Sequence, residues 1–162
     1  MSNTELGVVA TRMTRSPIAL KDCGLSATAE LIGDRWTLLV LRSIFYGVRR
    51  FADIKEDISV PGSTLSSRIK RLVDANVLEE RSYRDGSART RNEYYLTEVG
   101  ERLQNVLMTL MEWGDRNLRQ EPSKLVAVSK VSGDELRLAF VDRQGQAVSA
   151  DDVDFVVRDQ RL

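Results

Sequence analysis

Four arginines within eleven residues form the densest cluster of arginines in the sequence. They occupy positions 81, 84, 89 and 91, and Asp85 is the one acidic residue among them. Guanidinium groups suit contact with phosphates, so this cluster indicates a polyanion as partner. The chain as a whole has no net charge, with 24 basic and 24 acidic side chains, which makes the local excess the informative feature.

The residues that most catalytic and metal chemistry requires are missing. The 162-residue chain has no histidine, which removes imidazole bases, serine triads and most zinc sites. A single cysteine, Cys23, excludes an intramolecular disulfide and a thiolate-only metal site. We therefore expect a protein that is not an enzyme and uses neither a metal nor a cofactor. The lack of a long apolar run and of a signal peptide leads us to expect a cytoplasmic protein without membrane contact.

Helical spacing of apolar residues predicts the elements that carry these groups. A helix is expected over 24–32, and a second one, apolar on nearly every face, over 35–46 with Asp34 as its cap. A short amphipathic helix over 51–58 follows. After a break, Ser63 is expected to cap a fourth helix, which should end near residue 76.

The spacing of apolar residues changes from helical to strand-like in parts of the second half of the chain. Strands over 78–83 and 93–96, with the arginine-rich loop between them, predict a hairpin with a basic tip. Thr97 is expected to cap a long helix that runs to about residue 118. Strand-like patterns then recur, and we expect a small hairpin packed against the body rather than an effector or dimer-contact module. Those strands are predicted at 125–131, 135–142 and 153–157.

Two helices joined by a tight turn and followed by an arginine-tipped hairpin have the order of a winged helix-turn-helix. We predict a mainly α-helical α+β fold of this type, with a long C-terminal dimerisation helix and a small C-terminal β segment. The expected domains are a flexible arm over 1–22, the DNA-binding and dimerisation domain over 23–121, and the appendage over 122–162.

Five stretches of the sequence together resemble the HxlR-type family of bacterial transcriptional regulators. They are GDRWTLLVLR, GVRRFADI, TLSSRIKRL, EYYLTEVG and the final WG, all within residues 23–118. The resemblance implies a homodimeric regulator that binds a two-fold symmetric operator and dimerises through its first and last helices. It also implies that the cysteine matching Cys23 often responds to oxidants or electrophiles. The family's usual Cys-Pro is Cys23-Gly24 here, and Asn76 stands where a glycine is common.

The residues expected to contact DNA lie on the exposed face of the fourth helix, in the loop before the third helix and in the hairpin. Small hydroxyl groups allow close approach to base edges, and the cations suit phosphates. Arg68 is as suited to pairing with an acid of the preceding helix as to DNA, and a solvated charged face is the plain alternative for the set. The predicted DNA contacts are Arg49, Arg50, Ser63, Thr64, Ser67, Arg68, Lys70, Arg71, Arg84, Arg89 and Arg91.

An apolar stripe on the last helix predicts the dimer interface, with a ligand cavity as the second interpretation. Cys23 is either a buried small side chain or a sensor, because it lies near a helix N-terminus where the dipole favours a reactive thiol. If Cys23 is a sensor, we expect its thiol to form an adduct with a small thiol or an electrophile. The predicted interface consists of Leu25, Val99, Leu103, Val106, Leu107, Leu110 and Trp113.

Three functions follow from these patterns. The favoured one is a sequence-specific regulator, a repressor, that binds a pseudo-palindromic operator as a homodimer and responds to oxidants or electrophiles through Cys23. The second is a winged-helix module for protein interaction, which would need an apolar or acidic surface in place of the arginines. The third is a regulator that responds to a small molecule, in which Cys23 is only structural.

Overall fold

Six α-helices and two β-hairpins make up the part of the chain that the computed structural model describes, residues 16–84, 86, 90–121 and 123–154. Two short 3₁₀ turns, Leu20–Asp22 and Ala150–Asp152, flank them. Of the predicted arm, residues 1–15 lie outside the described residues. The helices are α1 Gly24–Ile32, α2 Arg35–Phe45, α3 Phe51–Asp57, α4 Gly62–Asp74, α5 Glu98–Glu101 and α6 Gln104–Leu118, and the strands are β1 Leu78–Tyr83, β2 Arg91–Leu96, β3 Phe140–Val141 and β4 Ala147–Val148.

Helix α2 lies at the centre of the core. It contacts α3, α4, α6 and strand β2, and its side chains Val40, Leu41 and Ile44 are buried. The predicted cap is confirmed, since the Asp34 carboxylate accepts the Trp36 amide at 3.1 Å and the Thr37 amide at 3.2 Å. A charged oxygen at this position satisfies amides that have no partner within the helix and interacts favourably with the helix dipole.

Helices α3 and α4 form the helix-turn-helix. Ile54 of α3, Val60 of the turn and the stripe Leu65, Ile69 and Leu72 of α4 are all buried. The expectation that Ser63 caps α4 is wrong, because the Leu65 amide already donates to the Pro61 carbonyl at 3.0 Å and the helix begins at Gly62. The hydroxyl of Ser63 consequently faces solvent in the first turn.

Helix α4 ends at Asp74, near the predicted end, and the chain reverses at Asn76. Its φ of 55° is left-handed, a conformation that asparagine adopts more readily than most residues. The reversal lets the Val77 amide donate to the Leu72 carbonyl at 2.9 Å and directs the chain into β1.

Strands β1 and β2 form an antiparallel hairpin, which we call the wing. Its register pairs Leu78 with Leu96 and Tyr83 with Arg91, so β2 begins two residues before the predicted start. The segment before α3 adds to this sheet, because the Tyr94 amide donates to the Arg49 carbonyl at 2.9 Å and Arg50 pairs with Glu93.

The single long helix predicted after the wing is divided in two. Thr97 caps α5 as expected, accepting the Gly100 amide at 3.1 Å. The Leu103 amide then donates to the Gly100 carbonyl three residues back, which interrupts the α-helical ladder before α6 begins. Gly100 is also fixed by space, since a side chain there would overlap the Val77 carbonyl.

The C-terminal segment, residues 123–154, forms far less sheet than its pattern predicts. Only the two-residue strands β3 and β4 pair, around Gly145, and a single bridge joins Val128 to Glu135. The third predicted strand is wrong for Val153 and Asp154, and its other residues lie outside the described ones. Apolar alternation needs a surface to pack against, and this segment has no buried side chain in one copy of the chain.

None of the described helices has both the length and the apolar character needed to cross a membrane.

Candidate nucleic-acid interface

The outward face of α4 is small, hydroxylic and basic. Ser63, Ser67, Lys70 and Arg71 are exposed, and Thr64 is half-buried beside them. Because the apolar stripe of the helix lies in the core, this face can approach another molecule without exposing large apolar groups. Its first two turns carry hydroxyl groups, and its later turns carry cations.

Each of the predicted cations of α4 has a partner within the chain. Lys70 pairs with Asp74 at 2.8 Å, and the Arg71 guanidinium donates to the Glu30 carbonyl of α1. Arg68 pairs with Asp34. The exposed Lys70 pair is of a kind that contributes little to stability, so Lys70 can exchange its carboxylate for a phosphate at small cost. Arg71 holds α4 against α1.

The ion pair between Arg68 and Asp34 differs from the Lys70 pair because the Asp34 carboxylate also caps α2. The Arg68 Nε atom lies 2.9 Å from Asp34 Oδ1, and the Thr37 hydroxyl lies 2.5 Å from Asp34 Oδ2. Partial burial raises the pKa of the Asp34 carboxyl, but the hydrogen bonds from Thr37 and Arg68 outweigh burial and hold that pKa below its ordinary value. Arg68 therefore pairs with an acid, but that acid caps α2 and does not belong to the preceding helix α3 as expected. A contact of Arg68 with DNA stays a prediction.

The outer face of the wing alternates arginine, tyrosine and glutamate. Side chains two apart on a strand share a face, and the hairpin register places the two sets side by side. The opposite face carries Leu78 and Tyr94, which are buried in the core. The residues of this outer face are Glu79, Arg81, Tyr83, Arg91, Glu93 and Tyr95.

Two arginines stack on one tyrosine at the base of the wing. The guanidinium carbons of Arg49 and Arg81 lie 4.2 Å and 4.1 Å from the centre of the Tyr95 ring. Stacking fixes the direction of both planar groups and does not itself neutralise their charge. Arg81 is in addition paired with the Glu79 carboxylate at 2.5 Å. Arg49 was predicted as a contact, whereas Arg81 and Tyr95 were not assigned to the site. Period-two alternation along the two strands was the signal that could have found them.

Arg50 is held by a second cluster beside the first. It lies 2.9 Å from the Glu93 carboxylate and 4.4 Å from the Tyr83 ring centre. The hydrogen bond from Arg50, and a further one from Tyr95, lower the pKa of Glu93 below its ordinary value. Glu93 therefore stays charged and compensates one of the wing arginines.

Of the remaining predicted arginines of the hairpin, Arg84 and Arg91 lie among the described residues. Arg84 is exposed and forms no ion pair with a described residue, while Arg91 is the first residue of β2 rather than part of the loop. Arg89 lies outside the described residues.

The predicted interface residues do not share one exposed surface, because some of them face solvent and others face the core. Val99, Val106, Leu110 and Trp113 are exposed, with Trp113 at 57%, and Leu25 of α1 is 77% exposed. Leu103 and Leu107 point the other way: Leu107 is 8% exposed and belongs to the core of the chain, with Leu103 packed against that core.

Cys23 is the residue immediately before α1. Its carbonyl accepts the Ala27 amide at 3.1 Å, and its side chain is half-buried and carries a free thiol. Lys21, in the short turn before it, is exposed.

The class of protein that this fold defines is the winged helix-turn-helix. The solved structure of PA1607, provisionally described as a transcription factor, matches with a TM-score of 0.72 and 28% identity over 85% of this chain and 96% of that one. A second such structure, PA1374 from Pseudomonas aeruginosa, has a TM-score of 0.59 and 26% identity over 84% and 92% of the two chains. The match to PA1607 covers 85% of this chain, whereas residues 1–121 make up only about three quarters of it. The match therefore includes part of the C-terminal segment.

The chain belongs to the HxlR-like helix-turn-helix family, whose model matches residues 31–122. It is 45% identical over 89 residues to Rv3095 of Mycobacterium tuberculosis, an uncharacterised HTH-type transcriptional regulator, and spans 55% of each of the two chains in that match. It is 30% identical over 100 residues to YkvN of Bacillus subtilis, another HTH-type regulator, covering 61% of this chain and 83% of that one. The predicted family is confirmed.

These comparisons also bear on the class of activity. The relatives named here are transcriptional regulators and not enzymes, in agreement with the prediction from the missing catalytic residues. The chain spans only about half the length of the mycobacterial relatives.

The double role of Asp34 predicts a distinct dependence of stability on pH. A folded-state pKa below the unfolded value, about 3.9, means that Asp34 stabilises the fold at higher pH and that this contribution is lost as pH falls through the folded pKa. Asp34→Asn keeps a capping oxygen, so it should unfold with a flatter pH profile below about pH 4. Asp34→Ala should cost about 1–2 kcal/mol at pH 7. Urea unfolding followed by tryptophan fluorescence measures both.

Asp74→Asn is the matched control, because it removes a carboxylate from the exposed pair with Lys70. It should leave the pH profile of the wild type unchanged. Identical profiles for Asp34→Asn and the wild type would contradict the role assigned to Asp34.

Proposed function

We propose that the chain is a sequence-specific DNA-binding transcriptional repressor that binds a pseudo-palindromic operator as a homodimer. The observation that carries the proposal is the outward face of α4, which is hydroxylic in its first turns and free of large apolar groups. In a helix-turn-helix this second helix enters the major groove. The arginines of the adjacent wing supply the complementary contact with phosphates.

The two surfaces have different tasks in this proposal. Ser63 and Ser67 are short enough to bring the α4 backbone close to base edges, where a hydroxyl group can donate or accept a hydrogen bond. Arg81, Arg84 and Arg91 contact phosphates and set the position of the helix in the groove. The stacks on Tyr95 support this, because they orient Arg49 and Arg81 before DNA arrives.

A protein-interaction module is the weaker alternative. Such a module would need an apolar or acidic surface, whereas the outer wing face carries arginines whose partners are tyrosine rings and two glutamates. The charges that remain exposed there are mainly positive, and they suit a polyanion.

The apolar outer face of α6 supports the dimer. Val106, Leu110 and Trp113 recur at helical spacing and are exposed in one copy, which is unusual for a soluble domain unless a partner covers them. A second copy is the partner that two-fold DNA half-sites require. Repression follows in the simplest case, since a bound dimer excludes other proteins from the operator.

Separate variants test the two DNA-contacting surfaces on the DNA upstream of its own gene. Arg84→Ala combined with Arg91→Ala should weaken binding to all duplexes and reduce the salt slope by roughly 0.9 per lost phosphate contact. Ser67→Ala should instead change the ranking of operator variants while the salt slope is kept. Fluorescence anisotropy with a labelled duplex, titrated at several salt concentrations, measures both.

Arg116→Ala is the control for general loss of charge, because Arg116 is an exposed, paired arginine of α6 away from the wing. Its binding should equal that of the wild type. If the wing variant and Arg116→Ala bind alike and Ser67→Ala keeps the wild-type ranking, the interface is assigned to the wrong faces.

The dimer is tested by sedimentation at micromolar concentration. The wild type should sediment at twice the 18.3 kDa of the chain. Leu110→Glu should yield a folded monomer, because a carboxylate cannot be buried in an apolar interface without a partner. Gln104→Glu, which places the same charge elsewhere on α6, should stay dimeric. A wild type that sediments only as a monomer removes the dimer from the proposal.

A response to oxidants through Cys23 forms the finer part of the proposal. The thiol is half-buried and directly precedes α1, so an added group would press between that helix and its neighbours. A relative, YodB of Bacillus subtilis, has a solved structure described as its reduced form, with 27% identity and a TM-score of 0.50. The chain has no second cysteine, so we favour a mixed disulfide or an electrophile adduct.

Diamide in the presence of glutathione tests this role. Wild-type protein should gain one glutathione by mass and release the operator, whereas Cys23→Ser should keep both its mass and its DNA. Addition of dithiothreitol should restore binding. If Cys23→Ser releases DNA in step with the wild type, Cys23 is only structural.

A further inference from the structure

An open cleft of about 510 Å³ lies beside the C-terminal half of α6, away from the surfaces assigned to DNA. The end of α2 forms one wall, α6 forms the floor, and the chain leaving α6 forms the other wall. This volume lies in the range of sites for small molecules. The residues that line it include Arg42, Tyr46, Met111, Gly114, Leu118 and Lys124.

The floor of the cleft continues the core-facing stripe of α6. Leu103 and Leu107 pack in the core, and the same helical face continues through Met111, Gly114 and Leu118 at steps of three and four. The body of the protein ends before this part of the stripe. An apolar surface made to face the core is therefore left open, rimmed by polar groups.

Gly114 keeps this surface open. It lies inside a regular helix, where glycine is unfavourable compared with alanine. Neither backbone conformation nor packing within the chain requires it, because its φ is not left-handed and a Cβ atom added there would meet no atom within 4 Å. The missing side chain leaves room at the centre of the cleft.

The rim of the cleft has an excess of positive charge. Arg119 is balanced by Asp115 at 3.4 Å, and Arg42 lies 3.3 Å from Asp57 and stacks over Tyr46. Lys124 has no ion-pair partner within the described part of the chain. A ligand with one negative group and an apolar body would match both the rim and the floor.

We propose that this cleft binds a small amphipathic organic carboxylate. Its hydrocarbon body lies against Met111 and Leu118 in the space over Gly114, and its carboxylate pairs with Lys124 and Arg42. The Tyr46 hydroxyl, which is 3.5 Å from the Met111 sulfur, closes the side of the site.

The site is coupled to the helix-turn-helix through Arg42. Asp57 of α3 is held by Arg42 and by the Ser43 hydroxyl at 2.5 Å, and both of these residues belong to α2. A ligand carboxylate competes with Asp57 for Arg42, which loosens the contact between α2 and α3. This regulatory step rests on the proposed DNA-binding function, and it lowers operator affinity when the ligand is bound.

Binding to the free protein tests the site without DNA. The probe is 2-naphthoate, with 2-naphthamide as the uncharged analogue of the same shape, and isothermal titration calorimetry is the measurement. We expect saturable binding of the carboxylate and binding of the amide that is weaker by about tenfold. Lys124→Gln should lose about the same factor, while Lys130→Gln, an exposed lysine of the same segment outside the cleft, should bind like the wild type.

Filling the cleft is the second arm of the test. Gly114→Ala should fold at least as well as the wild type and keep binding, whereas Gly114→Leu should abolish it, with thermal unfolding confirming that both variants are folded. Absence of saturable 2-naphthoate binding, or unchanged binding to Gly114→Leu, overturns the proposal. So does a Gly114→Leu variant that sediments as a monomer, because a second copy would then occupy the cleft.

DNA titrations separate this proposal from the function on which its regulatory step rests. Saturating 2-naphthoate should weaken operator binding of the wild type and leave that of Gly114→Leu unchanged. Operator binding without any probe binding would overturn the site and keep the proposed function. Probe binding by a protein that binds no duplex would keep the site and overturn the proposed DNA-binding function.

Discussion

The carboxylate of Asp34 joins the two helices on which the domain depends. It caps α2, around which the core is built, and pairs with Arg68 of α4 at 2.9 Å. Apolar packing of the α4 stripe sets how deeply that helix sits, but packing alone permits some rotation and sliding. A charged hydrogen bond has a direction, so the Asp34 pair adds to this packing a contact that favours one orientation of α4 relative to the core.

Contacts with neighbouring tyrosine and glutamate side chains position the arginines at the base of the wing. The chain is neutral overall, and the arginines at the base of the wing are stacked on tyrosines or paired with glutamates. Stacking preserves charge, whereas pairing with Glu93 reduces it, so neighbouring arginines differ in how readily they can meet a phosphate. Arg49 is oriented by stacking, whereas Arg81 is stacked and also paired with Glu79, and Arg50 is stacked and paired with Glu93.

Helix α6 presents two apolar faces with different partners. The outer face, with Leu110 and Trp113, is left uncovered in one copy and suits a second copy of the chain. The inner face begins in the core at Leu107 and ends in the open cleft at Leu118. One rigid helix therefore lies between the proposed dimer contact and the proposed ligand site, and α2 connects that ligand site to the helix-turn-helix.

Local pattern determined the helices, the Asp34 and Thr97 caps, the reversal at Asn76 and the order of elements, because each depends on neighbours along the chain. The start of α4 at Gly62 and the division of the last helix depended on backbone hydrogen bonds that no local signal marked. Only the tertiary structure decided the partners: that Arg68 meets Asp34 across 33 residues, that tyrosines of the wing orient its arginines, and that the C-terminal segment forms little sheet. Such contacts join residues distant in sequence, and their geometry exists only once the core has placed the elements side by side.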